Sequence, residues 1–282
     1  SEWEVLWDPD DMEFDPELRE NVPKWSVMRY LQKYCDIGPR AFSCEFQNNP
    51  APDEGKHFKK KHFTEQRFTV DLKSGSLARN DGLVLNYYDI TEPSGFTITL
   101  DPTGQRSKQQ ASHHTLDFAA IVHGFRYKNE FYILDFRLLQ NADPAEQVST
   151  YREIREKWKT NTGLVARMKI EMSNKAGDQQ LEKMHETGLY ISEDDQIRQT
   201  DDKLDRILTT VKGPVHERHV WWRYGADIPA AQWKEMVNQF IGLGEEGVHD
   251  DGPDAVEMFM RFATDNYVPP SAGGSAIHES IY

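Results

Sequence analysis

Carboxylates are common here, with 47 Asp and Glu among 282 residues, so one acidic side chain alone means little. What matters is a carboxylate at the end of a strand or the start of a helix, where a rigid scaffold can hold it beside others. Three places qualify. Asp101 closes the alternating run Phe96–Leu100, Glu171 ends Arg167–Glu171, and Asp250, Asp251 and Asp254 open the last helical stretch. If the strands carrying Asp101 and Glu171 are neighbours, all of these positions converge at one edge of the core. Converging carboxylates bind hard cations, and a pair of Mg²⁺ or Mn²⁺ ions about 3.5–4 Å apart can activate a water against a phosphodiester. The other common catalytic signatures are missing: G-x-S-x-G, G-x-G-x-x-G, H-E-x-x-H, a paired C-x-x-C and a Walker A loop. Spacing alone leaves a second reading open, in which these acids are turn residues and helix caps on a solvated surface.

Cations are placed less tellingly. Lys203 and Arg206 are three apart on one helix face, suited to phosphate or to a nearby carboxylate. Lys59, Lys60 and Lys61 lie in the aromatic-interleaved run Lys56–Phe63, which reads as a snorkelling face or a weak phosphate contact. Trp221 and Trp222 read as core, since a duplex hides its base faces.

The elements that must position these groups follow from periodicity. Trp25, Met28, Leu31 and Tyr34 predict a helix ending before Gly38-Pro39, and Asn48–Gly55 is a cluster of turn formers. Strands are predicted at 68–70, 83–87, 96–100, 115–122 and 130–136, the last three forming a meander. Asp143-Pro144 then opens a helix to about Thr160, followed by a strand over 164–172 and helices over 178–186, 201–211, 229–241 and 253–265, with an aromatic strand at 219–224. A meander followed by strand–helix alternation predicts an α/β domain with a mixed central sheet flanked by helices. Residues 1–55 read as an approach segment, 56–265 as the domain, and 266–282 as a flexible tail.

Composition sets outer bounds. No apolar run approaches the roughly 18–20 residues a bilayer span needs, and no signal peptide is evident, so no membrane association is expected. Two cysteines give no disulfide framework. A net charge of -14 argues against a basic nucleic-acid coat, yet a carboxylate-rich site can let metal ions supply the positive charge that phosphate needs.

Five motifs in order resemble the nuclease domain of the large terminase subunit of tailed bacteriophages. VHDDGPDAV at Val248–Val256 is similar to that family's DD-x-x-DA stretch. LDPTG at Leu100–Gly104, followed by LDFAAI at Leu116–Ile121, resembles its first nuclease motif, and IEMSNKAG at Ile170–Gly177 its second. Lys203–Arg206 matches its K-x-x-R helix, and Leu18, Arg19, Phe42, Gln47 and Pro50 match the stretch between its ATPase and nuclease domains. The likeness extends over nearly the whole chain.

The resemblance implies a ribonuclease H-like fold and a two-metal endonuclease cutting concatemeric double-stranded viral DNA when packaging starts and ends. Asp101 would be the bridging ligand, Glu171 the second and Asp251 the third, with Asp117 auxiliary and Asp250 or Asp254 able to replace Asp251. His249, and His113 and His114 in the loop after Asp101, would be proton shuttles or surface residues. The implied partners are DNA, portal protein, the small terminase subunit and an ATPase domain of the same subunit, in the host-cell cytoplasm. No phosphate loop precedes the linker and the first residue is not Met, so an excised domain or a lost motor is expected. The loop from Gly104 to Thr115 is longer and more polar than the family pattern. Alternatives are a resolvase or transposase of the same fold, or a non-catalytic module docking on DNA or portal.

Overall fold

The computed structural model describes residues 57–86, 96–103, 117–172, 175–199, 201–225, 227–245 and 247–265, and the backbone of two short paired strands, β1 (Met12–Asp15) and β2 (Glu20–Pro23). The predicted helix over 25–34, the turn cluster at 48–55, His113, His114 and the tail lie outside these residues.

A mixed sheet of nine strands organises the rest, in the order β10-β9-β6-β7-β8-β11-β3-β4-β5. The strands are β3 (Arg67–Asp71), β4 (Ser76–Arg79), β5 (Val84–Asn86), β6 (Thr97–Asp101), β7 (Phe118–Tyr127), β8 (Glu130–Gln140), β9 (Arg167–Glu171), β10 (Gln196–Ile197) and β11 (Val220–Arg223). β6, β7 and β8 form the expected antiparallel meander, while β9 adds parallel to β6 and β10 parallel to β9. Counted from β6, the central five strands read 3-2-1-4-5, the ribonuclease H-like arrangement. Beyond β8, strand β11 and then β3 add in parallel, and β3–β5 close that side as an antiparallel meander.

Helices cover both faces because β6 and β7 are buried on both. On one face lie α2 (Pro144–Thr162) and α3 (Lys175–Glu186), where Val148, Tyr151, Ile154 and Trp158 meet Ile98, Leu100, Ile121 and Leu134. Asp143 caps α2 by accepting the Glu146 N–H at 2.8 Å, with Pro144 in the first turn, as its sequence predicts. On the other face, Ala120, Val122, Phe131 and Ile133 pack against α4 (Lys203–Ile207), its wider continuation Leu208–Lys212, α5 (Gly213–His216), α6 (Ala230–Ile241) and α7 (Asp251–Asp265). A Cβ on Gly124 of β7 would stand 2.8 Å from Phe259 Cζ and closer still to the Tyr132 carbonyl, so only glycine lets α7 lie this near the sheet. A four-residue α1 (Lys61–Thr64) is held by Phe63 against Trp222 and Phe240.

Candidate metal centre

Parallel pairing of β6 and β9 sets Leu100 opposite Ile170, so Asp101 and Glu171 leave the sheet side by side at the strands' carboxyl ends. Alternation sends Leu100 and Ile170 into the α2 layer and leaves Asp101 and Glu171 on the side of α7. Before Asp101 on the same strand, the Thr99 hydroxyl lies 3.2 Å from the Val122 carbonyl and 3.4 Å from that of Ala255, tying the start of α7 across the strand end. Asp254 is thereby brought down onto the pair. One oxygen from each of Asp101, Glu171 and Asp254 lies within 4.8 Å of the others. All three residues are buried, at 8%, 9% and 4% exposure.

Backbone packing fixes Glu171 from the other side. A Cβ on Gly177 in the first turns of α3 would fall 2.5 Å from the Glu171 carbonyl oxygen and 2.8 Å from Met172 Cα. The helix can close over the strand end only because that side chain is missing.

A second group adjoins the first. Asp117, His249 and Asp251 also place ligand atoms within 4.8 Å of one another. Asp251 accepts the Phe118 N–H at 3.0 Å, and His249 Nδ1 lies 3.7 Å from Asp251 and 3.9 Å from Asp117. The Phe118 ring meets His249 edge-on, with centroids 5.1 Å apart. Between the groups stands Lys203, whose Nζ is 2.7 Å from Asp250, 3.4 Å from Asp254 and 3.5 Å from Asp251.

Burial is the leading cause of the electrostatics. It raises the Asp101 carboxyl well above the ordinary range, and Glu171 and Asp254 add to the rise while Lys203 opposes it. Asp254 is pushed up to about 6 by burial, against the pull of Lys203 and Arg206. Asp251 is raised by burial and held back by Lys203 and the Phe118 N–H. Burial alone would lower Lys203, but Asp101, Asp254, Asp251 and Asp250 together raise it. Clustered carboxylates this costly to ionise invite a compensating cation, and an all-oxygen set such as Asp101, Glu171 and Asp254 suits Mg²⁺ or Mn²⁺.

Of the expected site residues, Asp101 and Glu171 are joined by Asp254, while Asp251 groups with Asp117 and His249 and Asp250 partners Lys203. The α7 helix begins at Asp251, two residues earlier than the predicted start at Pro253, and Asp254 lies in its first turn beside the strand ends. Lys203 and Arg206 both turn inward, Arg206 reaching Asp254 at 2.8 Å and Glu257 at 3.1 Å. Lys60 and Lys61 are exposed at α1, and Lys59 is half-buried. Trp221 and Trp222 are core. Sequence reasoning overlooked Glu257, which is 1% exposed and receives Arg206, Arg261 and the Thr210 hydroxyl. Its spacing of three from Asp254 on an amphipathic helix was the available signal. Gly177, part of the second quoted motif, carried no signal of its close approach to Glu171.

No protein-family model and no curated protein sequence matches the chain. Among solved structures, the human cytomegalovirus terminase nuclease domain superposes with a TM-score of 0.50 at 10% identity, over 72% of this chain and 92% of that one. The large terminase nuclease of thermophilic phage G20c with bound magnesium gives 0.41 at 9% identity over 71% and 96%. The large terminase of another thermophilic bacteriophage gives 0.41 at 11% over 84% and 52%. At such identities the likeness is one of fold, and the fold shared with the cytomegalovirus domain is the ribonuclease H-like one of a terminase nuclease.

Proposed function

We propose that this chain is a divalent-metal-dependent endonuclease that cuts concatemeric double-stranded viral DNA at the start and end of genome packaging. The observation that carries the reading is the convergence of Asp101, Glu171 and Asp254 from two adjacent strand ends and one helix, within 4.8 Å, in a fold shared with a terminase nuclease domain. Asp101, Glu171 and Asp254 would hold one ion, and Asp251 with Asp117 and His249 would help to hold a second, with Asp101 the bridging candidate. Mg²⁺ or Mn²⁺ held there would supply Lewis acidity toward phosphoryl oxygens and lower the pKa of an attacking water.

The chain's own groups do the positioning. Strand ends β6 and β9 and the first turn of α7 fix the carboxylates. Arg206, itself anchored on Glu257, holds Asp254 in place from behind. His249, facing Asp117 and Asp251, would complete the ligand set of the second ion. Lys59, Lys60 and Lys61, with Lys203 and Arg206, are the cations proposed for phosphate, of which Lys60 and Lys61 are exposed.

On this reading residues 56–265 are the nuclease domain, 1–55 the approach from an ATPase domain, and 266–282 a tail. Its partners are duplex DNA, portal protein, the small terminase subunit and that ATPase, and it works in the host-cell cytoplasm. Among the described residues no helix is long and apolar enough to cross a membrane.

Cleavage of supercoiled and linear plasmid with Mg²⁺, Mn²⁺, Ca²⁺ or EDTA tests this, using wild type, Asp101→Asn, Glu171→Gln and Asp254→Asn. Metal-dependent cutting lost in all three folded variants is expected. Cutting that survives them, or a preference for branched or end-specific DNA, would overturn the assignment.

A further inference from the structure

Lys203, proposed above as a phosphate contact, is occupied by carboxylates instead when no phosphate is bound. Lys203 projects from the first turn of α4, and among the described residues its ion pairs are with Asp250, Asp251 and Asp254. One ammonium therefore faces both acidic groups at once, where the charge of a divalent cation would be needed. Arg206, one turn along, is anchored differently, because it also holds Glu257 on the far side of Asp254. Outside the two acidic groups Lys203 pairs, among the described residues, with Asp250, which is itself 40% exposed, and the Lys203 side chain is 33% exposed, so it has a route out to solvent. A lysine is a compact point charge on a flexible stem, able to leave without rearranging a helix.

We propose that Lys203 is the chain's built-in counter-ion for these carboxylates, and that a divalent cation must displace its ammonium to load the centre. This rests on the metal-centre reading given above. The physical ground is competition. The carboxylates cannot remain close and ionised without a cation, and in the metal-free protein the one supplied is covalently attached at high local concentration. Metal binding then costs the breaking of these ion pairs, which makes the free enzyme load weakly. A phosphate group arriving at the mouth gives the released ammonium a new partner, so substrate and metal favour each other's binding.

Two measurements without turnover test the displacement. In the first, Mn²⁺ is titrated into wild type, Lys203→Gln, Lys203→Arg and Asp101→Asn, with free Mn²⁺ followed by electron paramagnetic resonance. Lys203→Gln is expected to bind Mn²⁺ at least ~10-fold more tightly than wild type, and Lys203→Arg, which keeps the charge, within a few-fold of it. In the second, wild type is treated with an amine-acetylating reagent and mapped by mass spectrometry. Lys203 should be protected without metal and become reactive when Mg²⁺ is added, with no substitution needed. Unchanged or weaker Mn²⁺ binding by folded Lys203→Gln, or Lys203 reactivity indifferent to Mg²⁺ in a protein that binds it, overturns the displacement alone. Failure of wild type to bind any Mn²⁺ more tightly than Asp101→Asn overturns the metal centre, and the displacement with it.

Discussion

Asp254 and Asp117 differ in how much the proposed chemistry asks of them. Asp254 is buried against Asp101 and Glu171, whereas Asp117 stands at the outer margin, beyond His249 and Asp251. Replacing Asp254 with Asn should therefore cut plasmid nicking by well over ~100-fold, more than loss of an outer partner usually costs, while Asp117→Asn should cost about 10–100-fold. Single-turnover nicking rates at saturating Mn²⁺ separate the two, and equal losses would show that the groups act as one. The choice among Asp250, Asp251 and Asp254 was not legible in the sequence. Each can face the sheet if α7 is rotated by a residue or two, and the rotation is set by contacts distant in sequence, such as Thr99 with Ala255 and the Gly252 N–H donated to Gln239 at 2.8 Å.

At the scale of elements, the link between α3 and β9 is sensitive to a small change. Gly177→Ala would push a methyl into the Glu171 carbonyl and Met172 Cα, both backbone atoms that yield only by moving the strand end. The expected cost is about 1–3 kcal/mol of stability in urea denaturation, with a fall in cleavage greater than the unfolded fraction explains. A variant as active and stable as wild type would mean that the helix shifts and Glu171 does not. Elements with many residues were readable beforehand: the meander from its alternation, α2 from Asp143-Pro144, α6 from its apolar spacing. Two short strands were not, although β3, β5 and β11 were. β4 buries only Leu77 and β10 is two residues long, so neither carries a pattern. The α4 helix was expected to end at Val211, but the wider turn at Leu208–Lys212 carries the chain on into α5, where Pro214 sits in a first turn and its missing N–H is harmless.

For the whole molecule, stability in acid depends on a buried histidine outside the centre as well as on the centre's own carboxylates. His123 is fully buried between β6 and the α2 layer, with Nδ1 2.8 Å from the Thr97 carbonyl, and burial pushes it down to about 4. Unfolded histidine takes up its proton near 6.5, so between these values the unfolded state binds more protons and stability falls as pH drops. The loss reaches about 3 kcal/mol by pH 4. Asp101 and Asp254, being raised, push the other way, so the imidazole is isolated by comparing wild type with His123→Gln. Wild type should lose its stability advantage over this variant from about pH 6.5 to 4 in urea denaturation. An advantage that does not change with pH would place the titration elsewhere.

The strand order has a further consequence, for how the molecule can be assembled. β3 from the early chain is flanked by β11 from the late chain, and β6 lies between β7 and β9. Neither the piece before Thr103 nor the piece after Asp117 holds a complete sheet. A backbone break between those residues should therefore leave two polypeptides that are unfolded apart and regain one cooperative unfolding transition when mixed. The same interleaving joins Arg67 to Trp222, roughly 150 residues apart along the chain, a pairing whose loop-closure cost makes for slow folding. Growth of the chain on the ribosome would complete the carboxylate set only once α7 has emerged.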